Sequence, residues 1–122
     1  MQKINRGTDI IFNIDCKDSN GYPMRVKDAD EFTFKFYTVG CGCECCEHEA
    51  KETAIEASYK NGELRNIVVG KNVDQIVLEA ADVSKLNVGV LRFEYSFKVR
   101  DDKFANGYYD ESGKGMTDVS LI

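Results

Sequence analysis

Apolar and polar side chains alternate with a period of two along residues 89–99, where Leu91, Phe93, Tyr95, Phe97 and Val99 fall on one side and Arg92, Glu94, Ser96 and Lys98 on the other. Successive side chains of a strand point to opposite faces, so this segment predicts a half-buried β-strand introduced by Gly89. The same alternation runs through residues 9–16, with Ile10, Phe12, Ile14 and Cys16 inward, and through residues 31–38, with Phe32, Phe34 and Phe36 inward. Cys16 is expected to behave as a small buried hydrophobe.

Turn signals divide the rest of the chain. In Asp18-Ser-Asn-Gly-Tyr-Pro, Gly21 tolerates positive φ and Pro23 fixes φ, so the chain is expected to turn and return as a short strand over residues 24–27. Ile55, Ala57 and Tyr59 are expected to face inward, and Asn61-Gly62 is the preferred pair for a two-residue type I′ hairpin turn into a returning strand over residues 63–69. Residues 72–79 predict a further strand with Val73 or Ile76 and Leu78 toward the core, and residues 80–86 one or two helical turns, too short to organise a fold. Residues 116–122 close the pattern, with Thr117, Val119 and Leu121 on one face. Seven or eight short strands with one short helical turn predict an all-β fold, an immunoglobulin-like antiparallel β-sandwich. Two loops are expected in this single domain spanning residues 1–122: a cysteine-rich one at 40–50 and a long exposed one at 101–115.

Composition is consistent with that architecture. A chain of 122 residues is one domain in size and long enough to bury a core without obligatory disulfides or metals. Seven Phe and six Tyr can fill the space between two sheets, while 30% charged residues solvate the outer faces. Sixteen basic against twenty-one acidic side chains give a formal charge of −5 with no long block of either sign, which disfavours binding to nucleic-acid phosphates. The polar start over residues 1–9 does not read as a signal peptide, and no run approaches the roughly 20 apolar residues of a membrane helix, so no membrane association is expected.

Candidate chemistry is concentrated in Cys41-Gly-Cys-Glu-Cys-Cys-Glu-His48, which gathers Cys41, Cys43, Cys45, Cys46 and His48, the only histidine. Thiolate and imidazole suit zinc or another soft metal. Structural zinc sites more often join two knuckles a dozen or more residues apart, because the chain must reach the ion from two directions. The default is therefore loop thiols without a dedicated role, with metal binding second and disulfides third. His48 is the sole imidazole available to a Cys–His nucleophile pair, and adjacency in a loop does not orient one, so no catalytic residues are assigned and no enzymatic activity is expected. Asp28 with Asp30, Asp101 with Asp102 and Asp110 with Glu111 lack the spacing of a calcium loop and read as solvated turn acids. Tyr108 and Tyr109, adjacent in the second loop, either pack over the sandwich edge or contact a partner.

The order of these features resembles a known family. Arg6-Gly-Thr-Asp-Ile-Ile-Phe leads into the first strand, Asp18-Ser-Asn-Gly-Tyr-Pro makes a turn and Phe34-Lys-Phe-Tyr-Thr ends a strand. Ala80-Ala-Asp-Val-Ser-Lys-Leu-Asn-Val-Gly-Val-Leu then precedes the long one. The pattern resembles the amino-terminal domain of phage baseplate upper proteins and related tail-fibre or tail-adaptor proteins of phages of Bacteroides-type gut bacteria, over nearly the whole chain. The cysteine loop departs from it. The resemblance implies a non-enzymatic structural virion protein with no cofactor, partnered by other phage structural proteins in a symmetric assembly. Because no long helical or fibrous extension follows, a separate tail, collar or capsid-decorating subunit is expected alongside an adaptor. Two alternatives remain open: a metal-binding β-domain using Cys41 to His48, and a carbohydrate-binding surface using Tyr22, Tyr108 and Tyr109.

Overall fold

The computed structural model describes residues 1–17, 20–39 and 54–122. The alternating segment at its centre is a twelve-residue strand, β10 (Gly89–Arg100). It lies between β5 (Glu31–Thr38) and β11 (Tyr108–Leu121), antiparallel to both. Outside β5 come β6 (Ile55–Lys60) and β7 (Glu63–Arg65), and outside β11 comes β1 (Gln2–Ile4), which runs parallel to it. The resulting six-stranded sheet has the order β1-β11-β10-β5-β6-β7. A three-stranded sheet of β2 (Ile10–Asn13), β9 (Asp74–Leu78) and β8 (Ile67–Val69), in the order β2-β9-β8, packs against it. A two-stranded ladder joins β3 (Cys16–Lys17) and β4 (Pro23–Met24). The molecule is an all-β sandwich, as the alternation implies.

Register explains why the larger sheet holds together. Phe93 stands opposite Phe36, Tyr95 opposite Phe34 and Phe97 opposite Phe32, so the inward faces of β5 and β10 form a ladder of aromatic pairs. Phe32 stacks on Phe97 at 5.3 Å and on Phe34 at 5.1 Å, and Phe12 of the smaller sheet lies nearly parallel to Phe36 at 5.5 Å. Such pairs contribute about 0.5–1.5 kcal/mol each beyond the area they bury. Phe32, Leu78, Val83, Leu86, Leu91 and Leu121 are essentially inaccessible to solvent between the layers.

Several expected strands are divided, each for a local reason. Asn61 and Gly62 take φ of 53° and 80°, the two positive values that a type I′ hairpin between β6 and β7 requires. The returning strand is not continuous over residues 63–69. Asn66, at φ 56°, turns the chain out of the six-stranded sheet and into the smaller one. Its side-chain amide donates to the Glu56 carbonyl at 2.8 Å, and its own carbonyl accepts the Val77 amide at 2.8 Å, so the crossing residue bonds to both sheets.

The short returning strand expected over residues 24–27 exists only as β4, which ends at Met24, because Val26–Asp28 is a 3-10 turn. The Val26 amide donates to the Asp74 carboxylate at 2.8 Å rather than to a ladder, and the Arg25 amide is taken by Asp28 at 2.9 Å. The helical turn is α1 (Ala80–Val83), whose Ala80 amide donates to Asp9 at 2.7 Å and whose Val83 enters the core with Leu86. Gly89 then opens β10 at φ 133°, where an added Cβ would stand 3.2 Å from the Val39 carbonyl oxygen.

The largest correction concerns the loop expected at 101–115. Only its first part turns, and β11 already begins at Tyr108. Its alternation is hidden from a hydrophobic pattern because Gly113 and Gly115 occupy inward positions opposite Tyr95 and Phe93. A Cβ on Gly113 would come 2.7 Å from Tyr95 Cε1 and one on Gly115 3.2 Å from Phe93 Cζ, so the neighbouring rings lie where side chains would otherwise stand. Three β11 residues then face one on β10 between the pairs Val90–Ser120 and Arg92–Met116. Thr117 spans this irregularity by donating to the Leu91 carbonyl at 2.8 Å and accepting the Val119 amide at 3.1 Å.

Asp74 is 2% exposed and is the one buried acid among the described residues. Arg25 donates to it as well as to the Gly70 carbonyl, and the hydrogen bond from Arg25, aided by the Val26 amide against the cost of burial, holds the Asp74 carboxyl below the usual range. A depressed folded-state value means that the stabilisation is complete above the unfolded value near 3.9 and is lost as pH falls through the folded one. Asp74→Asn is expected to cost about 2 kcal/mol at neutral pH, below the 3–5 kcal/mol of a fully buried pair because Arg25 is partly exposed. Urea unfolding at pH 7 and again below pH 4 checks this, with the gap between wild type and variant narrowing in acid.

Candidate functional site

The two sheets are unequal, and that inequality creates the site. Three strands cannot cover six, and the smaller sheet lies over β5 and β6, with β2 the strand above the Phe36 side. Beyond β2, the inner faces of β10 and β11 are left partly open as a groove of about 600 Å³. Its floor is Phe34, Phe36, Phe93, Tyr95 and Phe97, one wall runs from Phe12 through Lys17, and the other is formed by Glu111, Thr117 and Asp118. Phe93 and Tyr95 are only half-buried, although their positions on β10 are inward. Aromatic surface left accessible in this way makes the groove the candidate site.

Glu111 is the polar centre of this groove. It projects inward from β11, where Tyr95 Oη donates to one carboxylate oxygen at 2.9 Å and Tyr109 Oη to the other at 2.7 Å. The hydrogen bond to Glu111, with burial second, raises the Tyr95 hydroxyl above its ordinary range, so it remains a donor. On the opposite wall the Cys16 thiol is pushed up to about 11, first by burial and then by the charges of Asp15 and Glu111. Cys16 is half-buried at the groove wall rather than enclosed in the core. A thiol held protonated is a poor nucleophile and a poor metal ligand at neutral pH. What the groove offers is therefore adhesive: ring faces, a carboxylate already oriented by two hydroxyls, and an acidic lip.

The residues singled out from the sequence fall in different places. Cys41, Cys43, Cys45, Cys46 and His48 lie outside the described residues. Among the described residues no group of three or more His, Cys, Asp or Glu side chains is arranged to hold a metal ion. Tyr108 and Tyr109 are on a strand, not a loop, and so point to opposite faces. Tyr109 turns inward against Phe97 and Phe104, at 6.0 Å and 5.7 Å. Tyr108 turns outward beneath Lys98 Nζ, 5.0 Å from the ring centre, and Arg100, whose guanidinium is 5.6 Å away. The pair forms no common platform of the kind a sugar ring would need, and Tyr22 is exposed on its own turn.

Glu111, Gly113 and Gly115 give no site signal in the hydrophobic pattern, because an acid and two glycines in a polar run read as turn residues. The signal lies in their position instead: Tyr109, Glu111, Gly113, Gly115 and Thr117 keep the inward parity of Val119 and Leu121, and each glycine mirrors an aromatic on β10. No protein-family model, curated protein or solved structure matches this chain.

Two outcomes follow from this geometry. Gly113→Val should displace the Tyr95 ring, break its bond to Glu111 and lower stability by about 1–3 kcal/mol, read as a fall in thermal midpoint. Site-resolved mass spectrometry after iodoacetamide treatment at pH 8 should show Cys16 alkylated roughly a hundredfold more slowly than a thiol of ordinary pKa, with the rate rising as pH approaches 11.

Proposed function

We propose that this protein is a non-enzymatic structural subunit of a phage particle, a tail, baseplate or collar component or adaptor that docks on neighbouring virion subunits through its strand edges. The supporting observation is the open edge of β11. Its only partner on that side among the described residues is β1, which pairs with Val119, Ser120 and Leu121 and leaves residues 108–118 uncovered. Backbone parity identifies the groups on offer. Ile122 exchanges bonds with Ile4 and Arg6, so even-numbered β11 residues face the β1 side, and Asp110, Ser112, Lys114 and Met116 direct their amides and carbonyls outward.

An unpaired edge of this length is a template for another strand, and folds that do not use such an edge usually shorten or cover it. Repetition of a modest contact around a symmetric particle multiplies its strength, which suits a small acidic subunit. The sequence resemblance to baseplate and tail-adaptor domains points the same way. The partners in this proposal are other phage structural proteins, and its location is the virion.

Particles purified from producing cells and imaged by cryo-electron microscopy should contain the chain in a symmetric ring or collar, with density paired along β11. Ser112→Pro removes one outward amide at an edge position where proline is tolerated. It should leave the thermal midpoint within a few degrees of wild type while the particles lose the chain. Particles lacking the wild-type chain would refute the proposal.

A further inference from the structure

The groove and the edge of β2 adjoin one another, and together they have the dimensions of a missing strand. Ile14 donates to the Asp74 carbonyl at 2.9 Å, so even-numbered residues of β2 bond to β9, and Ile11 and Asn13 direct their amides and carbonyls away from it. Asn13 is itself part of the groove wall. A strand added here would lie about 4.8 Å from β2 and about 10 Å above the larger sheet, the spacings of paired strands and of packed sheets. Every second side chain would then descend onto Phe93 and Tyr95, the inward rings that three strands leave half-covered. Ile11, 58% exposed, lies on the outward face of the same edge, where it would gain a cross-strand neighbour.

Charge specifies the occupant further. Asp15 and Glu111 line the groove against Lys17, and the largely exposed Asp118 at its rim lies 3.9 Å from the terminal ammonium. Glu111 keeps lone pairs free beyond the two tyrosine hydroxyls it accepts, and the chain as a whole carries −5. We infer that this groove accepts an extended segment of a partner protein, with apolar residues at alternate positions and a flanking lysine or arginine, which completes the smaller sheet along β2. The inference rests on the reading of the chain as a docking subunit, and it supplies the chemistry of one partner at a surface distinct from the β11 edge.

The test uses the isolated full chain and a fluorescein-labelled peptide of alternating valine and serine with lysine at both ends. Fluorescence anisotropy should show saturable binding, at least tenfold tighter than for the same peptide ending in glutamate, and weakened by salt. Amide exchange at Ile11 and Asn13 should slow on binding. Asn13→Pro, which removes an edge donor but leaves the pairing of Ile14 with Asp74, should keep the circular-dichroism spectrum and lose the peptide. Glu111→Gln, which removes the charge but keeps the shape, an acceptor for one tyrosine hydroxyl and a donor to the other, should reduce the preference for lysine over glutamate ends.

Absence of binding, equal binding of both peptides, or unchanged exchange at Ile11 and Asn13 would overturn the inference. So would Nile red bound in the groove but not displaced by the peptide, or self-association that protects the same amides, since the occupant would then be a small apolar ligand or a second copy. Because no particle is involved, failure here with the chain present in virions would leave the structural role standing. Peptide binding by a chain absent from virions would do the reverse.

Discussion

Cross-strand stacking of aromatic rings between β5 and β10 holds the larger sheet in a single register, and the remaining elements are placed relative to it. Phe32, Phe34 and Phe36 face Phe97, Tyr95 and Phe93 in order. A slip of β5 by one residue would exchange its three phenylalanines for Thr33, Lys35 and Tyr37, carrying a charge into the interior and three apolar rings out of it. On the other side of β5, Ala57 and Ile55 leave room for the rings of β5 while Tyr59 extends the row past Phe32. On the other side of β10 the accommodation is more extreme, because Gly113 and Gly115 have no side chain where Tyr95 and Phe93 lie.

That accommodation has a consequence for function. Glycines keep the inner face of β11 low, and the smaller sheet stops at β2, so the aromatic row emerges from beneath its cover. The exposed part is tempered by polar groups rather than by more hydrophobic packing: Glu111 accepts from Tyr95 and Tyr109, and Asp15 and Lys17 stand on the facing wall. An apolar floor with a charged lip is the arrangement that the proposed docking of a segment of matching pattern would use. The open edges of β2 and β11 add backbone donors and acceptors, which give direction to contacts that ring surfaces alone would not orient.

The smaller sheet is anchored by polar ties at both ends of β9. Asp74 collects Arg25 and the Val26 amide, which bends the chain into a 3-10 turn, and the Val77 amide bonds to Asn66 where the chain leaves the larger sheet. Buried polar groups of this kind contribute through what their absence would cost: an unpaired Asp74 in the interior would be strongly destabilising. They fix where the smaller sheet sits over the larger one, and hence how much of the aromatic row stays open.

Alternation along β5 and β10, the Asn61-Gly62 turn and the helical turn after β9 were legible in the sequence because side-chain direction in a strand and turn geometry are local properties. The chain by itself therefore determined an all-β sandwich and most of the residues that turn inward. Asn66 carried no comparable signal, since an asparagine between two apolar runs suits a continuous strand or a crossing equally well. The strand over residues 108–115 was concealed by glycines whose purpose is to yield space to Tyr95 and Phe93 on another strand. Sheet membership, the partnership of Arg25 with Asp74 and the groove around Glu111 were decided only by the tertiary structure. Each depends on which residues distant along the chain arrive face to face, and a periodic pattern states that a side chain is inward without stating what, if anything, will cover it.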